Sequence, residues 1–150
     1  MTATADAPRA SAPWHYWLVT ALAILWNAYG AYDYFMSKTG GDAYLKKMGE
    51  TDAQIANMNA YPVWMTADWA IGVWGALLGA LMLVFRTRYA VYVFMASLAA
   101  FLVMLVYTYL LSDGGKVLGQ QGMIFNGVIL ALCVFFVWYS TAMAKRGVLR

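Results

Sequence analysis

The sequence predicts an all-α membrane protein, a four-transmembrane-helix bundle with a short helical outer loop. Three observations lead there. Hydrophobic residues make up 63% of the 150 positions and charged residues only 11%, against about 25% charged in an ordinary soluble domain. Four apolar runs are each long enough to cross a hydrocarbon layer of about 30 Å at about 1.5 Å per residue. Every arginine falls on one side of a model in which these runs alternate in direction.

Taken in order, residues 1–13 ("MTATADAPRASAP") are small, polar and proline-bearing, and read as a disordered cytoplasmic tail. The first run spans Trp14 to Met36. A secretory leader offers a competing reading, because Arg9 precedes "WLVTALAILW" and the small residues of "YGA". Tyr32, Tyr34, Phe35 and Met36 crowd the cleavage position, so an uncleaved spanning helix accounts for more residues. The second run spans Tyr61 to Phe85, the third Tyr89 to Leu111 and the fourth Gln120 to Ala144. With little chain left between them, residues 14–150 form one transmembrane domain.

The segment between the first two runs, Ser37 to Ala60, carries its own pattern. Tyr44, Met48, Thr51, Ile55 and Met58 recur at helical spacing. Gly49 suits a helix stop and "TDAQ" at Thr51 to Gln54 suits a capping box, so two short amphipathic helices are expected on the outer face or at the lipid surface. An ordered surface loop and a lid over a cavity are both compatible with them.

Orientation follows from the cations. Arg86 and Arg88 fill the turn between the second and third runs, Lys145, Arg146 and Arg150 close the chain, and Arg9 precedes the first run. The positive-inside rule makes this side cytoplasmic, with both termini inside. The basic residues divide six against four, and the outer side also holds Asp42, Glu50, Asp52 and Asp113. A bacterial inner membrane is the expected location and the lipid bilayer the first partner. A net charge of +3 without a basic stripe gives no argument for nucleic acid.

Inside the apolar runs, polar residues collect at one depth. Asn27, Asp68 and Asn126 each fall about 10 Å below the outer boundary, with Tyr107 and Thr108 slightly shallower. The inner half has no comparable set. Asp68 also heads a stripe with Gly72, Gly75 and Gly79, whose GxxxG pair suits close helix approach within or between chains. Thr20, Ala23, Asn27, Ala31 and Tyr34 form a matching stripe in the first run, and Gly119, Gly122, Asn126, Cys133 and Ser140 in the fourth. These three stripes are expected to face inward.

A carboxylate at the bilayer centre costs about 2.5–3.5 kcal/mol, less towards the interface, and needs a partner or water. Asp68 therefore has three readings. It hydrogen-bonds Asn27, Asn126 or a tyrosine and fixes helix register; it lines a wet outer vestibule that binds a polar ligand; or it is a protonation site coupled to transport. Trp26, Tyr29, Trp64, Trp69 and Tyr107 lie at similar depth and suit a sugar or another polar ring. They equally suit an interfacial aromatic belt, matched on the inner side by Trp14, Tyr16, Trp17, Trp138 and Tyr139.

Several chemistries are excluded by residue supply. His15 is the only histidine, at the inner end of the first run, and Cys133 the only cysteine, which sets aside a bis-histidine haem, a histidine-cluster metal site, a histidine-based catalytic triad and an intramolecular disulfide within one chain. There is no GxGxxG, P-loop or GxSxG. No enzymatic activity, cofactor or metal is expected.

The order of several motifs resembles a known group. "WN" then "YG" in the first run, "YPVW" opening the second, "AIGVWGALLG" followed by "LMLVFRTRYAVYVFMASL", then "LLSDG" and "VWYSTAMAKRGVLR", look like small uncharacterised bacterial inner-membrane proteins often labelled "sugar transporter". The likeness covers the first run to the terminus and implies a four-helix membrane protein, without binding residues to carry over. Asp68 departs from that pattern, where a small or apolar residue is more usual. Two functions are open: an accessory or structural subunit, in a homo-oligomer or a larger membrane complex, or an oligomeric carrier of a sugar or other small polar solute.

Overall fold

The computed structural model describes residues 10–150, so most of the expected N-terminal tail, residues 1–9, lies outside the described residues. The described chain is helical throughout, with no strand. The elements are α1 (Trp14–Thr39), α2 (Gly41–Lys47), α3 (Asp52–Asn59), α4 (Val63–Val84), α5 (Tyr89–Val106) continuing into a π-helical turn (Tyr107–Leu111), and α6 (Gly114–Lys145).

Three helical units are long and apolar enough to cross a membrane: α4, α5 with its π turn, and α6. The protein is therefore described as an all-helical membrane protein with three candidate spans. With 26 residues α1 also has the length. Its Asn27, Asp33 and many Trp and Tyr residues lower its hydropathy, because aromatic rings with a polar edge score as interfacial rather than hydrocarbon-loving.

Proline punctuates the helix starts. Pro13 and Pro62 stand in extended geometry at the N-caps of α1 and α4, where a missing N–H costs nothing. The outer segment forms two short helices. Thr51 accepts from the Gln54 backbone N–H while its own N–H donates to the Gln54 side chain at 2.8 Å, a full capping box. Gly49 ends this turn at a φ of 96°. Leu45 and Ile55 are the buried members of the pair.

The glycine seam is spent inside the chain. A Cβ on Gly79 would meet the Phe94 ring at 3.0 Å, and one on Gly72 or Gly75 would touch Ala100 or Ser97. Ser97 Oγ donates to the Gly72 carbonyl at 2.6 Å. Small residues thus let α4 and α5 lie close enough for a side chain to bond the neighbouring backbone.

Two irregularities steer the second half of the chain. The π turn widens the helix just before the Ser112–Asp113 bend, where the Lys116 ammonium at 2.8 Å holds the Asp113 carboxyl below its usual range. Gly119 then adopts a φ of 63° inside α6, a left-handed geometry that favours glycine, and separates residues 114–118 from the long spanning segment.

At the end that carries Arg86 and the C-terminal segment, labelled inner, the helices close on a continuous apolar cluster that includes Tyr16, Leu83, Phe94, Phe136, Tyr139 and Met143. Phe94 and Phe136 stack 5.5 Å apart, and the Tyr16 hydroxyl donates to the Leu83 carbonyl at 2.6 Å. Tyr16 and Tyr139 are core residues here, at 0% and 6% exposure, whereas Trp14, Trp17 and Trp138 remain exposed as a belt requires. His15 Nδ1 shares a hydrogen bond of 2.7 Å with the Tyr139 hydroxyl.

The C-terminal segment caps this end. Val148 and Leu149 are buried in the cluster. The Arg88 N–H donates to the Arg150 carbonyl and the Arg150 N–H to the Arg86 carbonyl, each at 2.9 Å. Arg86, at a φ of 56°, donates its guanidinium to the carbonyls of Val148 and Ala10.

Candidate functional site

In the outer half the same helices separate and leave a cavity of about 320 Å³ among α1, α4, α5 and α6. Its walls hold the three polar residues that the sequence places at one depth: Asn27 from α1, Asp68 from α4 and Asn126 from α6. The inward stripes explain the convergence. Thr20, Ala23, Asn27 and Ala31 are all buried along α1, and Asp68 lies one turn above Gly72 on the seam that faces α5.

These residues share the cavity but do not hydrogen-bond one another. Asn27 Nδ2 donates back to the Ala23 carbonyl of its own helix at 2.8 Å. Asn126 Nδ2 donates to the Tyr109 hydroxyl at 3.0 Å. Asp68 has one carboxylate oxygen, Oδ2, that is fully shielded and has no hydrogen-bond partner among the described residues. The expectation that Asp68 fixes helix register through Asn27, Asn126 or a tyrosine is not met.

Tyr107 is displaced from the group. Its ring packs edge-on against Tyr61 and Trp64, at centroid distances of 5.8 and 5.4 Å, and it does not line the cavity. The π turn begins at this residue, so the helical register used to place it does not hold beyond Val106. Tyr109 supplies the hydroxyl that reaches Asn126 instead. A break in register of this kind leaves no signal in an apolar aromatic stretch.

Of the aromatic residues at this depth, Trp26, Tyr29 and Trp69 line the cavity, while Trp64 does not. Trp69 is held by the Tyr34 ring at 4.8 Å, and the Lys38 ammonium stands 5.2 Å from its centroid. This geometry shows an electron-rich ring already attracting a cation within the chain.

The structure adds two acids that sequence depth alone does not bring in. Asp33 lines the cavity from α1 and accepts a hydrogen bond of 2.9 Å from the Tyr44 hydroxyl. Glu50, between α2 and α3, reaches the cavity together with Met58 of α3. The outer segment therefore contributes to the wall rather than lying apart from it. Asp33, Glu50 and Asp68 give the cavity three carboxylates, and no lysine or arginine is among its lining residues. The carboxylates are dispersed, and among the described residues no group of three or more His, Cys, Asp or Glu is close enough to hold a metal ion. Cys133 lies at the deep end of the cavity as a free thiol.

Comparisons with protein-family models, with curated proteins and with solved structures found no match to this chain.

Proposed function

We propose that the protein is a four-helix bacterial inner-membrane protein that binds a small polar solute, cationic amines above others, in the outer cavity. The observation that carries this reading is Asp68: a carboxylate oxygen without a partner among the described residues, on the wall of a cavity whose described lining holds three acids and no lysine or arginine. A charge retained in a membrane span without a structural bond is a functional candidate by default. An ammonium group offers Asp68 both a counter-charge and a hydrogen-bond donor, and Trp26 and Tyr29 supply ring faces beside it.

In this reading α1 is the fourth span. Its length, and the burial of one stripe against the other helices, support that. The cations at the ends of α4, α5 and α6 favour cytoplasmic termini, which places the cavity towards the opposite compartment. The accessory-subunit function has less support, because the glycine seam that suggests association between chains is filled by Phe94, Ser97 and Ala100 of the same chain.

The test is reconstitution in proteoliposomes with a panel of amines, amino acids and sugars, measured with and without a proton gradient. Tryptophan fluorescence serves as a binding readout, because Trp26 and Trp69 line the cavity. Saturable quenching by an amine, reduced at least about tenfold by Asp68→Asn, is expected, in line with about 1.5–3 kcal/mol for a charge-assisted hydrogen bond. If no member of the panel binds or is taken up, the solute-binding reading fails.

A further inference from the structure

A second concavity lies at the opposite end of the bundle, where α5 begins and α6 ends. It has a volume of about 620 Å³ and is bordered by Arg88 and Tyr92 of α5, Lys145 of α6 and Arg150 of the C-terminal segment. Val91 and Leu149 contribute apolar wall. Arg88 and Lys145 form no ion pair with any described residue. Every described carboxylate side chain belongs to the outer half or the outer loops, so among the described residues Arg88 and Lys145 border the hollow with no carboxylate side chain beside them.

Like charges held together in this way repel, and an anionic ligand relieves the repulsion. The backbone is anchored for the purpose, since Arg88 N–H bonds the Arg150 carbonyl and Arg150 N–H bonds that of Arg86. Two facts select the kind of anion. The hollow sits at the helix ends, the level of lipid headgroups, and its wall combines cations with Val91, Leu149 and the ring of Tyr92, which has 58% exposure. A guanidinium and an ammonium suit a phosphodiester, and the apolar wall suits the glycerol and upper acyl carbons attached to it. Basic pockets beside membrane spans are a recurring place for anionic headgroups.

We infer that this inner pocket is a binding site for the headgroup of an anionic phospholipid, held by Arg88 and Lys145. The site is independent of the outer cavity and of any solute bound there. It makes the lipid a specific ligand at one end of the molecule and not merely its solvent.

The experiment uses the full-length protein in neutral detergent, titrated with short-chain phosphatidylglycerol, short-chain phosphatidylcholine or inorganic phosphate, with thermal unfolding as readout. Phosphatidylglycerol is expected to raise the midpoint saturably, while phosphatidylcholine and phosphate leave it unchanged. Arg88→Gln with Lys145→Gln is expected to weaken the phosphatidylglycerol effect roughly 30-fold, at about 1 kcal/mol per cation. Lys46→Gln with Lys116→Gln, an equal charge change at the other end, is expected to leave it intact. Lys145→Gln alone provides the measurement if the double variant does not fold. The inference is overturned if phosphatidylcholine or phosphate matches phosphatidylglycerol, if the inner variants keep the full shift, or if the outer pair loses as much as the inner one.

Discussion

The inner and outer halves of this bundle are built from the same helices and solve opposite problems. At the inner end Tyr16, Leu83, Phe94, Phe136 and Tyr139 interlock, and the C-terminal Val148 and Leu149 close the gap. At the outer end α1, α4, α5 and α6 stand apart around Asn27, Asp68 and Asn126. The difference teaches where a small membrane protein can keep polar groups: where helices are already sewn together elsewhere. The packed half supplies the stability that lets the other half remain open.

The comparison breaks most sharply at Phe94. Truncation to alanine removes a ring that is 3% exposed and fills the seam beside Gly79. The expected loss is about 3–5 kcal/mol, measured by denaturant titration in detergent. Phe101→Ala, on the cavity wall, should cost less than half as much, because no closed packing collapses there. Equal losses at the two positions would mean that the outer half is as tightly packed as the inner.

A smaller effect is expected from Tyr16→Phe, which removes one buried hydrogen bond to the Leu83 carbonyl. About 1 kcal/mol should be lost, with the apolar packing kept. The smallest is expected at Asp68, which stands about 8 Å along α4 from its first residue. Asp68→Leu should leave the thermal midpoint unchanged or raise it, since no protein bond is broken and a desolvated charge is removed. A fall of several degrees would show that the carboxylate holds the helices together.

Much of this contrast was legible in the sequence. Spacing alone places Asn27, Asp68 and Asn126 at one level and finds no comparable polar set in the inner half. The capping box at Thr51 to Gln54 and the stop at Gly49 are local hydrogen-bond chemistry, which a sequence states directly. What spacing could not supply was any departure from regular geometry. An unbroken α-helix would set Tyr107 in the polar layer, whereas with the π turn it is the Tyr109 hydroxyl that bonds Asn126. Tyr16 and Tyr139 carry the composition of an interfacial belt, and only their neighbours, Leu83 and His15, make them core residues. Glu50 joins the cavity through a tertiary arrangement that no periodicity encodes.

Arg86 has one more consequence, for the order in which the molecule is assembled. Its guanidinium reaches partners 62 and 76 positions away in the chain, at Val148 and Ala10, and contacts so distant in sequence wait for the longest loops to close. Both partners must have arrived before this fastening is made, so it comes after the helices between them have packed. A chain stalled with α6 outside the bilayer has no Val148 to offer, and Arg86 then marks the difference between a finished protein and an unfinished one.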